Sequence, residues 1–201
     1  QGLDRSGVGL MPLVVRRLDI DEARARFDEL ARLRITVFRD YPYLYEGDAA
    51  YERRYLATYF AADKAAVIGA FDGDRLVGAA TAAPLAQHFE AFAEPFAARG
   101  LDVGAFFYFG ESVLLKPYRG QGAGVRFFAE REAAARAFGF DACVFSAVMR
   151  PEDHPRRPPD YQPLDGFWRK RGYRPIDGLV TEFSWREIGA AAETQKPMAY
   201  W

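Results

Sequence analysis

The stretch LLKPYRGQGAGVRFF (Leu114–Phe128) places Arg119, Gly120, Gly122 and Gly124 between an apolar run and an amphipathic segment. Glycine costs roughly 1 kcal/mol relative to alanine inside a helix, so alternate glycines mark a place where the chain needs backbone freedom and exposed amides. Before them, AFFYFGESVLL (105–115) is the strongest strand pattern in the chain. After them, GVRFFAEREAAARAFG (124–139) reads as a helix, with Glu132 and Arg136 one turn apart and Gly139 where a left-handed cap is wanted. A helix start presents about four amide N–H groups without intrahelical partners, together with partial positive charge. Glycines let an anion reach those amides and Arg119 adds a cation, a design suited to phosphate. A glycine-rich turn with no ligand is the plain structural alternative.

Working outward, LVVRRLD (13–19) reads as a strand. Asp19 and Glu22 form a capping-box variant ahead of a helix that carries Phe27, Leu30, Leu33, Val37 and Phe38 through about residue 39. Pro42 closes that helix, and the tyrosine-crowded tract 39–60 predicts a loop and a second helix over roughly 48–62. KAAVIGAFD (64–72) and RLVGAATAAPL (75–85) are strands with a hairpin signal at Gly73-Asp74. QHFEAFAEPFAARG (87–100) is helical up to Pro95, and ACVFSAV (142–148) is a second apolar strand. A proline-rich loop (149–163), a short helix (164–173) stopped by Gly172 and a last strand, LVTEFSW (179–185), complete the pattern.

There is no internal repeat or interdomain linker, and the order describes one mixed α/β domain over 13–201. Residues 1–12 are set apart as a tail. Gln1 stands first, and QGLDRSGVGL reads as a processing remnant.

Half of the 201 residues are hydrophobic and 15% are aromatic, enough to bury a sizeable core. A net charge of −1 offers no electrostatic handle for nucleic acid or an anionic membrane. No apolar run reaches the ~20 residues that span a bilayer and no secretory leader is evident, which predicts a cytoplasmic protein. The lone Cys143 excludes an intrachain disulfide framework and a cysteine-based metal site, and no metal is expected.

Two familiar phosphate loops fail on spacing. A P-loop needs Lys followed by Ser or Thr after its last glycine, and Val125-Arg126 follow Gly124. The dinucleotide fingerprint needs glycine at 125 or 127, where valine and phenylalanine stand. What remains is Arg-x-x-Gly-x-Gly after Pro117-Tyr118. PYRGQGAG behind the strand SVLL resembles the acyl-CoA motif of the GNAT superfamily, the CoA-dependent N-acyltransferases. FWRKRGYRP is similar to that family's later segment ending in Gly-Phe or Gly-Tyr, and the element order agrees over roughly 13–185.

The resemblance implies a GNAT-like domain: a central mixed, mostly antiparallel sheet with helices on both faces. It implies that Arg119, Gly120, Gln121, Gly122, Ala123 and Gly124 hold the pyrophosphate of acetyl-CoA, that main-chain groups of Val113 and Leu115 meet its pantetheine arm, and that an amide near Leu114 polarises the thioester carbonyl. The reaction it implies is direct attack by an amine on the thioester, which needs a proton acceptor. Glu111 is the candidate: strand alternation puts it on the face of Phe107, Phe109 and Val113, where apolar neighbours would raise its pKa. A glutamate at a strand bulge near Gly110, or one paired with an arginine, is the alternative. The family usually has a tyrosine, the acid for the departing thiolate, where this chain has Trp168. Trp168 is expected to pack beside the pantetheine or the core, and Tyr161 and Tyr173 are the nearest phenols in sequence.

Tyr41, Tyr43, Tyr45, Tyr51, Tyr55 and Tyr59, with Asp40, Glu46 and Asp48, crowd the region that covers the acceptor pocket in the family. Aromatic faces with carboxylates suit a cationic or amphipathic amine. Tyr43 and Tyr45 are expected to reach substrate, whereas Tyr51, Tyr55 and Tyr59, at helical spacing, are expected to pack against the sheet. His154 with Asp153 belongs to a solvated rim loop, His88 to an exposed helix, and Cys143 to a buried strand. The expected activity is acetyl transfer to a small-molecule amine or a protein amino group. A non-catalytic CoA-binding or sensing domain is the rival, and a different nucleotide-binding α/β domain a third reading. The chain end, EIGAAAETQKPMAYW, is expected to dock on the domain or on a second subunit, as in a homodimer.

Overall fold

A computed structural model describes residues 12–201, and the tail reading of residues 1–11 lies outside them. Strand β1 (Val14–Leu18) leads to Asp19, whose side chain accepts from Glu22 N–H and caps α1 (Ile20–Ala25). The single helix expected here breaks at Arg26, whose φ of −97° and ψ of 17° leave the helical well before α2 (Phe27–Phe38) begins. Asp48 caps α3 (Ala49–Ala61) in the same way as Asp19. β2 (Ala66–Asp72) and β3 (Arg75–Pro84) form the hairpin, and the Asp72–Arg75 pair closes a clean two-residue turn on Gly73, at φ +58°. α4 (Glu90–Ala98) runs through Pro95 rather than ending there. The carbonyl that Pro95 cannot reach, that of Ala91, accepts the hydroxyl of Thr181 instead.

β4 (Phe106–Leu114), α5 (Ala123–Ala137) and β5 (Ala142–Val148) form a parallel crossover unit. α6 (Asp165–Lys170) precedes β6 (Val180–Trp185) and β7 (Thr194–Tyr200). Strand β7 is absent from the sequence reading because TQKPMAY carries a proline and little strand propensity. It inserts between β5 and β6, so the chain end docks on its own domain. Met149 N–H donates to Pro197 C=O, and the N–H that Pro197 lacks ends that ladder.

The seven strands lie in the order β1-β2-β3-β4-β5-β7-β6, antiparallel except for the β4–β5 pair. α5 and α6 cover one face, where Phe107, Phe109, Phe127, Phe128 and Phe145 pack together. α1 to α3 cover the other, over Leu30, Leu33, Tyr55, Leu56 and Val113.

The sheet is forked. β4 and β5 pair only from Phe106 to Phe109 and from Ala142 to Phe145. Beyond that point β4 stays with β3, while Ser146–Val148 of β5 pair with β7.

Candidate active site

The glycine stretch sits at the open end of the fork. Gly120 and Gly122 adopt φ of +78° and +83°, and a Cβ on either would meet no atom within 4 Å, so these glycines serve conformation and leave the loop open. No side chain caps α5. The amides of Ala123, Gly124 and Val125 precede the first intrahelical bond, from Arg126 N–H to Gly122 C=O at 3.2 Å. Arg119 Nε donates to Leu114 C=O at 3.0 Å, which ties the guanidinium back to the end of β4. An uncapped helix start, open space and a fixed cation fit a diphosphate.

The register of β4 changes which groups face the fork. Leu115 N–H donates to Val77 C=O and its carbonyl accepts from Tyr118, so both of its main-chain groups are engaged. Alternation along an antiparallel ladder then turns Val113 toward Ala79, its partner in β3. The main-chain groups expected of Val113 and Leu115 at the open edge therefore belong to Ser112 and Leu114. Leu114 keeps an amide on that edge.

Glu111 departs from simple alternation. Ala80 pairs with Ser112 and Ala82 with Phe109, so Gly110 and Glu111 together oppose Thr81 in a β-bulge. The bulge carries the Glu111 side chain away from Phe107 and Phe109, onto the face of Tyr108 and α2. Gly110 is required there, since a Cβ would stand 2.0 Å from the Tyr59 hydroxyl and 2.4 Å from Thr81 Oγ1. Arg131 of α5, 1% exposed, fastens the bulge from the other face. Its guanidinium donates to the carbonyls of Thr81 and Glu111 (3.4 Å each) and to Ser112 Oγ at 2.8 Å. It has no acid partner among these contacts, and burial pushes it down to about 10.

Glu111 does not sit among apolar groups. Thr81 Oγ1 donates to its Oε2 at 2.8 Å, and Arg34 Nη1 lies 3.0 Å from its Oε1. That approach is not aligned as a hydrogen bond, so Nη1 is a buried donor still unspent. Arg34 Nε donates to Glu52 Oε2 at 2.6 Å, and the Tyr45 hydroxyl to Glu52 Oε1 at 2.9 Å. All three charged groups are buried. Burial opposes charge on Arg34, but Glu111 and Glu52 outweigh it and hold the guanidinium charged. Burial lifts Glu52 above its ordinary range, against the pull of Arg34.

Over this charged floor lies a cavity of about 70 Å³. Tyr43, Tyr45, Tyr51, Tyr55, Tyr108 and Trp185 supply much of its wall, and Arg34, Glu111 and Ser146 its polar groups. Tyr43 and Tyr45 line it as well as the helical pair Tyr51 and Tyr55, which do more than pack on the sheet. Tyr59, fully buried, lies behind them, its hydroxyl 3.3 Å from that of Tyr55. Arg34 and Glu52 were not among the residues singled out from the sequence. The signal for Arg34 was there: it interrupts the apolar stripe of Leu30, Leu33, Val37 and Phe38.

Trp168 packs against Phe145 and Trp201, with ring centroids 5.1 and 5.0 Å away, as part of the core beside the fork. The Tyr173 hydroxyl is committed to Glu132 at 2.9 Å, and Tyr161 stands edge-on to Tyr41 at 4.7 Å. His154 accepts from Arg156 N–H and faces Tyr41 in the same rim loop. Burial pushes the Cys143 thiol up to about 11, which keeps it protonated and inert. His88 is not on an exposed helix. It follows a single turn at Leu85–Gln87, and its ring stacks on Tyr108 and Phe92 at 4.7 and 5.0 Å with both nitrogens shut off from solvent.

No protein-family model matches the chain, and no curated protein is similar to it by sequence. Solved structures are similar in fold. A ribosomal-protein-alanine N-acetyltransferase from Brucella melitensis superposes with a TM-score of 0.59 at 14% identity, over 93% of this chain and 96% of that one. An aminoglycoside 6'-acetyltransferase type Ii gives 0.56 at 16%, over 93% and 94%. A putative acetyltransferase from Salmonella typhimurium, solved with its cofactor acetyl-CoA, gives 0.56 at 12%, over 95% and 94%. The chain has the fold of the GNAT acetyltransferases. No helix among the described residues is long and apolar enough to cross a membrane.

Proposed function

We propose that the protein is an N-acetyltransferase that moves the acetyl group of acetyl-CoA to a primary amine of a small molecule, by direct attack while both are bound. The observation that supports it is that the open, uncapped glycine turn follows β4 at the fork whose residues Gly110, Glu111 and Ser146 line the aromatic cavity. Arg119 and the amides of Gly120–Gly124 hold the donor's phosphates, and Ser112 and Leu114 offer the open-edge main chain. Leu114 N–H meets the donor's arm near the turn, roughly 13 Å along β4 from the apex where the thioester lies, so the carbonyl-polarising role that the resemblance implied for it is not part of this reading. In the cavity, tyrosine rings stand around the Glu111 carboxylate, a setting that suits a cationic or amphipathic amine entering past Tyr43 and Tyr45. Glu111, at the junction of cavity and fork, takes up the proton that the attacking nitrogen must lose.

Calorimetry with acetyl-CoA, followed by CoA release across a panel of amines, tests the reading. Glu111→Gln keeps the shape and the Thr81 contact, so turnover should fall while acetyl-CoA affinity holds; an unchanged rate removes Glu111 from the chemistry. Trp168 at the family's acid position favours one rival, a CoA-binding or sensing domain without catalysis. Binding of acetyl-CoA with no release by any amine would establish that rival.

A further inference from the structure

Tyr108 of β4 and Ser146 of β5 flank the apex of the fork. The last paired rung is Phe109–Phe145, and Ser146 is the first residue of β5 beyond it. The Tyr108 hydroxyl and Ser146 Oγ are 2.7 Å apart, and both residues line the aromatic cavity. Tyr108 is 3% exposed and held by stacking on His88. A phenol is the stronger donor and an alcohol the better acceptor, so Tyr108 O–H donates to Ser146 Oγ. That leaves the Ser146 hydrogen for a third atom. From Leu114, beside the cradle, to Gly110 at the apex the open edge of β4 runs roughly 13 Å, taken as ~3.3 Å per residue. A donor arm laid along that edge brings its sulfur to the apex. Trp168 packs away in the core, and the Tyr173 and Tyr161 rings are engaged elsewhere.

We propose that Ser146 is a catalytic residue that donates a hydrogen bond to the departing sulfur, with Tyr108 as its positioning residue; this rests on the acyl-transfer reading above. The amine attacks in its neutral form, an ammonium having first lost one proton to solvent; its lone pair forms the C–N bond, and the C–S bond breaks with its electron pair on sulfur. The nitrogen's proton passes to Glu111, and the sulfur leaves as a thiolate held by Ser146 O–H. The hydroxyl pair gains and loses no proton.

The test titrates the thiol of bound CoA by the ultraviolet absorbance of its thiolate, in the wild type, Ser146→Ala, Ser146→Thr and Tyr108→Phe. Calorimetry with desulfo-CoA reports binding that does not involve sulfur. A hydrogen bond to the thiolate should lower the bound thiol's titration midpoint by about one pH unit in the wild type relative to Ser146→Ala. Tyr108→Phe should fall between them, and Ser146→Thr, which keeps the hydroxyl, should restore the wild-type midpoint. Turnover of Ser146→Ala should drop about tenfold to a hundredfold, the range for a hydrogen bond to a charged group. Desulfo-CoA affinity should not change. Coincident thiol titrations in the wild type and Ser146→Ala, with desulfo-CoA bound by both, overturn the role of the pair and leave the acyl-transfer reading standing. Failure of the wild type to bind desulfo-CoA overturns that reading and the pair with it.

Discussion

His88→Phe isolates one buried ionisation. Burial pushes the imidazole from its ordinary 6.5 down to about 3, because no acceptor or counter-charge compensates a proton among Tyr108, Phe92 and Tyr59. The unfolded chain binds a proton below pH 6.5 that the folded chain refuses, so stability is fully present above that pH and drains away as pH falls. At about 1.36 kcal/mol per unit, acidification to about pH 5 costs about 2 kcal/mol through this residue alone. For a chain of this size that is roughly 4–8 °C in Tm. Phenylalanine keeps the stacking, does not titrate, and removes two buried nitrogens that have no partner. Orphaned polar groups cost about 1–3 kcal/mol each, so the variant should also be more stable at neutral pH. Thermal unfolding by circular dichroism, at about pH 7.5 and about pH 5, reads both effects. The wild type should lose several degrees more than the variant on acidification. Parallel loss in the two proteins would refute the buried neutral imidazole.

Arg34→Leu strands Glu52 and Glu111 without a counter-charge and should cost about 3–5 kcal/mol in urea unfolding. A second change, Glu52→Gln, should return part of that loss. Gly122→Ala forces a Cβ onto a backbone at φ +83° and should cost about 1–2 kcal/mol, with weaker acetyl-CoA binding by calorimetry and little change in fold. Gly110→Ala drives a methyl into the Tyr59 hydroxyl and should cost about 1–3 kcal/mol in thermal unfolding. Tyr59→Phe in that background should relieve part of the strain, and additive losses would show that the clash is not the cause.

The open glycine turn was legible because it is local. Glycines that must take positive φ, a strand before them and an uncapped helix after them are written in consecutive residues, as are the caps at Asp19 and Asp48. The helix through Pro95 was not legible, since the hydroxyl that satisfies Ala91 comes from Thr181, ninety residues away. Strand β7 was hidden for the same reason: a weak segment becomes a central strand once β5 and β6 supply its ladders. Glu111 shows the division most clearly. Alternation alone assigned Glu111 to the apolar face of Phe107 and Phe109. The bulge opposite Thr81, fastened by Arg131 and permitted by Gly110, turned it to Arg34. By itself, then, the sequence determined most of the elements and the open glycine turn, because near neighbours decide backbone conformation. Only the tertiary structure decided which way Glu111 faces, that Arg34 joins it to Glu52, and that the His88 nitrogens are shut off from solvent, because register and burial are decided by residues remote along the chain.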